Sequence, residues 1–340
     1  MKILITGGLG YIGSHTCIAL LSHGHDVVVV DNLCNGSKIV LNRIEKIVGR
    51  QPSFIEADVR DEKRMVALLQ QNGISAVIHF AALKEVAESV TTPLAYYNNN
   101  VAGSIALLGA MSACHIKTLV FSSSATVYGI PASFPVREDF PRKPINPYGY
   151  SKMVVEDMLA HLATSDPDWR IATLRYFNPV GAHESGWIGD DPRGVSTNLM
   201  PSLLQVISGH RPELEIFGSD YLTRDGTCVR DYIHVQDVAE AHLAALTYLN
   251  ENPGNLIVNL GTGHGVSVLE MCLAMEKAAD RPVPRRIVGR REGDAPEYWS
   301  DPQLARTTLG WYAKRGLRLM CEDALRWQKQ NPAGNEAFVS

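Results

Sequence analysis

The sequence predicts an α/β fold, a Rossmann-type doubly wound parallel sheet followed by a smaller mixed α/β substrate domain. Two observations carry this prediction. Apolar runs of strand length recur at Lys2 to Thr6, Val27 to Val30, Ser53 to Ile55, Ala76 to Phe80, Lys117 to Ser122 and Ile171 to Phe177, with helical stretches between them. Such alternation builds βαβ units and a parallel sheet. The first run also passes through Gly7-x-x-Gly10-x-x-Gly13 into helical spacing of apolar residues from Ile12 to Ser22, the strand–turn–helix order of a dinucleotide site.

Each element has its own justification. Val27 to Val30 is a continuous β-branched run, as expected of a strand buried on both faces. Further helices are expected over Glu62 to Gln71, Pro93 to Cys114 and Tyr148 to Ala163. After Asn178-Pro179 a Gly, Pro and Asp rich stretch runs to Gly194 and reads as a boundary or long functional loop. Residues 1–177 are therefore expected to form the dinucleotide domain. Residues 178–340 are expected mainly to hold substrate, with some segments returning to the first domain.

Composition excludes several classes. With 340 residues, 45% of them apolar, the chain has material for a large core, and a net charge of −4 argues against nucleic-acid binding. The opening apolar run breaks at Gly7-Gly8 without a small-residue cleavage site, and no run approaches a membrane span. The six cysteines are dispersed without ligand spacing, which predicts a reduced, cytoplasmic protein with no metal. His23-Gly24-His25 reads as the end of a helix in a turn.

In the glycine motif, small residues permit a tight turn and close approach of a pyrophosphate, which meets the free amides at the helix N-terminus. Asp31 ends the second strand eighteen residues past Gly13. A carboxylate there accepts from a ribose diol and repels a 2′-phosphate, favouring NAD over NADP. Asp58 and Val59, after the third strand, are placed to face the adenine.

Tyr148 and Lys152 stand four apart where a helix begins after Pro147, so they share a face. A fixed cation favours the phenolate. A tyrosine base useful near pH 7 needs roughly 4 kcal/mol of differential stabilisation, more than one lysine readily supplies, and an oxidised nicotinamide would add a second positive charge. Ser122, Ser123 and Ser124 follow a strand at the carboxyl edge of the sheet, and by position any of the three could hand on a proton.

These motifs, with Leu174 to Ala182, Val229 to His234 and Arg290 to Asp294, resemble the extended short-chain dehydrogenase/reductase family, and in particular its sugar-nucleotide enzymes, from Met1 to about Trp327. The resemblance implies reversible C4 epimerisation of UDP-galactose and UDP-glucose, a step of galactose metabolism. In it the C4 hydroxyl is oxidised, the 4-keto sugar turns over in the pocket, and tightly bound NAD is regenerated each turnover. Tyr148 would take the proton, Lys152 would hold the ribose and lower the tyrosine pKa, and Ser124 would relay the proton.

By the same resemblance Gly7, Gly10, Tyr11, Ile12, Gly13, Asp31, Asn32, Leu33, Cys34, Asn35, Gly36, Asp58, Val59, Phe80, Ala81, Ala82, Leu83, Lys84, Asn99 and Phe177 would line the NAD site, together with Ser124, Tyr148 and Lys152. Asn178, Asn198, Leu199, Phe217, Arg230, Arg291 and Asp294 would contact UDP. Tyr298 would gate the sugar pocket against N-acetylated sugars. Relatives pair as homodimers through helices that would here span Pro93 to Cys114 and Ser151 to Ala163.

One departure is Tyr150, where relatives often carry a basic residue. The rival readings are another NAD-dependent nucleotide-sugar epimerase, a 4,6-dehydratase, a simple oxidoreductase consuming free NAD, and a non-catalytic dinucleotide sensor. A dehydratase needs an acid and a base where this chain has Ala125-Thr126, and a sensor usually loses the tyrosine or lysine.

Overall fold

The computed structural model describes residues 1–192, 198–291 and 294–335. In chain order the first half comprises β1 (Lys2–Thr6), α1 (Tyr11–Ser22), β2 (Asp26–Asp31), α2 (Ile39–Val48), β3 (Ser53–Glu56), α3 (Glu62–Asn72), β4 (Ala76–His79), α4 (Val86–Thr91), α5 (Pro93–Tyr96), a π-helical segment (Tyr97–Ala102), α6 (Gly103–Ala113), β5 (Thr118–Ser124), a 3-10 turn (Ala125–Tyr128), α7 (Pro147–Ser165) and β6 (Arg170–Tyr176). The second half holds β7 (Asn178–Val180), α8 (Leu199–Ile207), β8 (Leu214–Phe217), β9 (Val229–Arg230), β10 (Tyr232–His234), α9 (Val235–Glu251), β11 (Gly254–Leu260), β12 (Val266–Ser267), α10 (Val268–Ala279), β13 (Arg285–Val288), β14 (Glu297–Tyr298), α11 (Gln303–Leu309) and α12 (Leu317–Gln330).

Seven strands form one sheet in the order β11-β6-β5-β4-β1-β2-β3, and every pairing in it is parallel. Strand periodicity sorts the side chains: Ile3, Ile5, Val27 and Val29 enter one core with α1 and α9, while Leu4, Val28 and Val30 enter the other with α3, α6 and α7. Chain order reverses between β1 and β4, so the crevice at their carboxyl ends is the topological switch point where such sheets bind ligands.

Helix ends follow local chemistry. The Asp61 side chain caps α3 by accepting from the Arg64 amide, and Gly49 and Gly73 close α2 and α3 in the left-handed conformation. The helix expected over Pro93 to Cys114 is one rod in three parts, with the π-helical segment in its middle, and α4 precedes it without having been expected. β11 lies beside β6 as the seventh strand and α9 packs on α1. A third core is built from α8, α10, α12, β8 and their neighbours, while Ala305 and Trp311 return to the first core.

Candidate active site

β1 delivers the chain into the glycine turn at the switch point. Gly7 has φ +69°, and a Cβ there would lie 2.8 Å from the Ala81 amide nitrogen; at Gly13 a Cβ would meet the Gly7 carbonyl oxygen at 2.3 Å. Both positions exclude side chains. Gly10 caps α1 with no side-chain acceptor, so the first amides of the helix face outward as a cradle for anionic groups. The Asp31 carboxylate accepts from the amides of Leu9 (3.1 Å) and Leu33 (2.8 Å), which fixes it beside this turn.

A cleft of about 670 Å³ opens there. Its wall contains Gly7, Gly10, Tyr11, Ile12, Gly13, Asp31, Asn32, Cys34, Asn35, Gly36, Val59, Phe80, Ala81, Ala82, Leu83, Lys84 and Asn99, together with Tyr148 and Lys152. Four expected cofactor residues stand outside that wall: Leu33, Asp58, Ser124 and Phe177. Leu33 packs against the core from a left-handed backbone, φ +61°. Asp58 is gripped by Arg60 at 2.6 and 2.9 Å and accepts from Asn32, which holds its carboxyl well below the usual range.

Several wall residues were not anticipated. Glu85, Glu88, Tyr176, Ile188, Gly189, Asp190, Asp191, Pro192 and Asn335 all line the cleft. Five of these belong to the Gly, Pro and Asp rich stretch, whose composition signalled a loop but not its destination. Lys84 is paired with Asp190 at 3.7 Å. Asn100 is buried within the rod of helices; its amide binds both backbone groups of Leu83 and the Ser151 hydroxyl, pinning the loop after β4 to α7. The run Asn98-Asn99-Asn100 was the available signal, since an amide inside a helix needs a partner.

α7 opens with Pro147, and the Asn146 side chain caps it through the Gly149 amide at 2.9 Å. Tyr148 and Lys152, 8% and 3% exposed, reach the cleft from its first turns. The lysine ammonium donates to the Ser122 carbonyl at 2.7 Å and stands 5.0 Å from the centre of the Phe121 ring. Burial is the leading influence on both groups. It lowers Lys152 to about 7 against the opposing field of Glu156. It raises Tyr148 to about 12; the Ser124 hydroxyl opposes this and Glu85 adds to it. In the protein without its cofactor, desolvation of the phenolate outweighs the group that opposes it.

The three serines of β5 separate. Ser122 pairs its hydroxyl with that of Tyr176, Ser123 turns inward and donates to Glu156, and Ser124 accepts from the Thr126 amide and hydroxyl while acting on Tyr148.

A second cluster lies outside the cleft wall. Asp294 meets Arg291 at 3.2 Å and Arg230 at 3.5 Å, and the Arg291 guanidinium lies 5.1 Å from the Phe217 ring centre. Asn198 stands at the N-terminal boundary of α8, whose first residue is Leu199. Asn178 starts β7, and its amide donates to the Asp231 carbonyl at 3.0 Å. Tyr298 stacks 5.2 Å from Phe177 and donates its hydroxyl to the Ala125 carbonyl, one residue from Ser124. Among the described residues, no group of three or more His, Cys, Asp or Glu is arranged to hold a metal ion, and no helix is long and apolar enough to cross a membrane.

A parallel sheet with a glycine turn, an acid at the end of β2 and a buried Tyr-Lys pair at one switch point defines a dinucleotide-dependent enzyme of sugar-nucleotide type. The chain belongs to the NAD dependent epimerase/dehydratase family, whose model matches residues 3–261. It is 52% identical to a UDP-glucose 4-epimerase of Bacillus subtilis over 98% of each chain, and 51% identical to the human UDP-glucose 4-epimerase over 98% of each. Its structure matches a UDP-glucose 4-epimerase from Stenotrophomonas maltophila, solved with NAD and formylated UDP-arabinopyranose, with a TM-score of 0.96 and 52% identity, covering 98% of this chain and 99% of that one. The Bifidobacterium longum enzyme, solved with NAD+ and UDP, matches with a TM-score of 0.94 and 46% identity, covering 98% and 100%.

Proposed function

We propose that this protein interconverts UDP-galactose and UDP-glucose by reversible epimerisation at C4, with NAD as a tightly held cofactor. The observation that carries the reading is the placing of buried Tyr148 and Lys152 in the same cleft as the glycine turn and Asp31. The cradle fits NAD: close backbone at Gly7 and Gly13, first-turn amides past Gly10 that no side-chain cap covers, and an acid beside the turn for a ribose diol. When bound, NAD supplies the oxidising and reducing equivalents at C4.

The protein's residues manage the proton. Tyr148 takes it from the C4 hydroxyl of one epimer and returns it to the 4-keto sugar on the way to the other, with Ser124 relaying between sugar and phenol. Lys152 supplies positive charge beside the phenol and donors for the cofactor ribose. Arg230 and Arg291 hold the diphosphate, Asp294 the uridine ribose, and Phe217 the uracil, while Asn178, Asn198 and Leu199 complete the nucleotide site. Tyr298, braced by Phe177 and Ala125, limits the sugar pocket to UDP-glucose and UDP-galactose. Ala125 is buried and Thr126 is tied to Ser124, so neither serves a dehydratase.

The same reading makes the protein a cytoplasmic homodimer. All six cysteines are free thiols, as a reducing compartment requires. Val90, Leu94, Tyr97, Ile105 and Tyr150 are exposed apolar groups on α4 to α7, a surface suited to a second copy.

Incubation of the purified protein with UDP-galactose, without added NAD, tests the function. UDP-glucose should form with no net accumulation of NADH absorbance. Loss of substrate that depends on added NAD would instead indicate a simple oxidoreductase.

A further inference from the structure

Behind the cleft lies a buried ionic network that the chemistry above does not use. The Glu156 side chain, 1% exposed, is forked by Arg175 (Nε to Oε1 at 2.9 Å, Nη2 to Oε2 at 2.6 Å), accepts from Arg142 at 3.1 Å, and accepts the Ser123 hydroxyl. Arg175 continues to the Tyr128 hydroxyl at 2.9 Å, and Tyr128 to Asn259 at 2.7 Å, so α7, β5, β6 and β11 are joined.

Glu156 lies one helical turn beyond Lys152 on the same face of α7. Ser123, which it holds, sits between Ser122, the acceptor of Lys152, and Ser124. We propose that Glu156 is a positioning residue for the reaction, keeping Lys152 charged in its buried place and the Ser122–Ser124 edge in register with Tyr148. This inference rests on the C4 epimerase reading only for its kinetic consequence.

The other groups around Lys152 do not supply the balancing charge. Tyr148 on α7, Ser122 and Phe121 on β5, and Tyr176 on β6 are neutral in their ordinary states. His79 on β4 is held neutral by burial and by the lysine itself, which lowers it to about 3. Glu156 is the carboxylate whose field opposes the burial of Lys152. Arg175 and Arg142 moderate that field from the far side.

The opposing charges of the pair give a signature that a merely structural role would not. Glu156→Gln removes the negative charge and leaves Arg175 facing the lysine, so the Lys152 titration should fall by about one pH unit. Arg175→Gln exposes the carboxylate, so the titration should rise, by less than the fall in Glu156→Gln because the guanidinium lies behind the carboxylate. The double variant Glu156→Gln/Arg175→Gln should titrate below the parent but above Glu156→Gln alone, because the nearer carboxylate outweighs the guanidinium behind it.

Nitrogen NMR titration of the lysine side chains in the protein purified with its NAD reads Lys152 directly, with Lys152→Arg as the assignment control. The pH profile of kcat should show its descending limb moving with it. The titration needs no turnover, so it stands or falls apart from the epimerase reading. Shifts of one sign in both single variants, or an unmoved Lys152, would overturn the proposal. Should Glu156→Gln not fold by circular dichroism, an upward shift in Arg175→Gln that is lost in the double variant supports it, and no shift in either overturns it.

Discussion

Lys152 spends a hydrogen bond on the backbone carbonyl of Ser122, 2.7 Å away, rather than on a carboxylate. A buried ammonium held by a neutral acceptor keeps its charge poorly, and burial brings Lys152 down to about 7. The same burial raises Tyr148 to about 12. The protein's own groups thus hold the dyad against phenolate formation, which suits the proposed base if the oxidised cofactor supplies the further positive charge.

Tyr148→Phe removes the phenolic O–H while keeping the ring packed beside Tyr96, 6.5 Å between centroids. Epimerisation should fall by about 10²- to 10⁴-fold in kcat, with little change in KM for UDP-galactose. Steady-state kinetics on the pure variant checks this. Retention of the parent kcat would place the base elsewhere.

Tyr298→Cys takes away a ring stacked on Phe177 and a hydroxyl tied to Ala125. The vacated space lies beside the serine edge, where the proposed function has Tyr298 exclude an acetamido group. The ratio of kcat/KM for UDP-N-acetylglucosamine to that for UDP-glucose should rise by about 10-fold or more. Parallel assays of both sugars with parent and variant decide it; comparable activity of the parent on both would remove the gate.

Much of this arrangement was legible because it is local. Gly7, Gly13, Asp31 and the Tyr148–Lys152 spacing each state their geometry within a few residues, and β1 to β6 announce themselves by apolar runs. Pairing is not local. Nothing in Gly254 to Leu260 says that it will lie beside Arg170 to Tyr176, because parallel partners are chosen by tertiary packing rather than by a turn. The same limit hid Asn335 and Asp191 in the cleft wall. Position alone also left three serines equivalent; the alternation of β5 turns Ser123 to the face opposite Ser122 and Ser124, where Glu156 of α7 receives it.

Arg291 is half exposed, stacked over Phe217 and paired with Asp294. Exposed pairs of this kind contribute about 0–1 kcal/mol to folding, so Arg291→Ala should leave the unfolding midpoint nearly unchanged. Under the proposed function its guanidinium instead meets the diphosphate. Loss of a charge-assisted bond worth about 1.5–3 kcal/mol should raise KM for UDP-galactose by about 10- to 150-fold, with a smaller effect on kcat. Isothermal titration with UDP provides the same comparison without turnover, and an unchanged affinity would separate Arg291 from the nucleotide.

Three buried histidines make the fold sensitive to mild acid. His15 and His79 are lowered to about 3 and His242 to about 4, in each case chiefly by burial. Unfolded, each would titrate near 6.5, so below that value the unfolded chain binds protons that the folded chain refuses. Stability is then fully present above about 6.5 and falls with pH through the window down to the folded values. Between pH 7.5 and 5.5 each histidine should remove about 1.4 kcal/mol and the three together about 4 kcal/mol, before most paired carboxylates are protonated. Urea unfolding at the two pH values measures the loss. His242→Leu, which deletes one titrating group from a site beside Phe80 and Tyr176, should reduce the difference by about one third; an unaltered difference would mean that His242 does not titrate on unfolding.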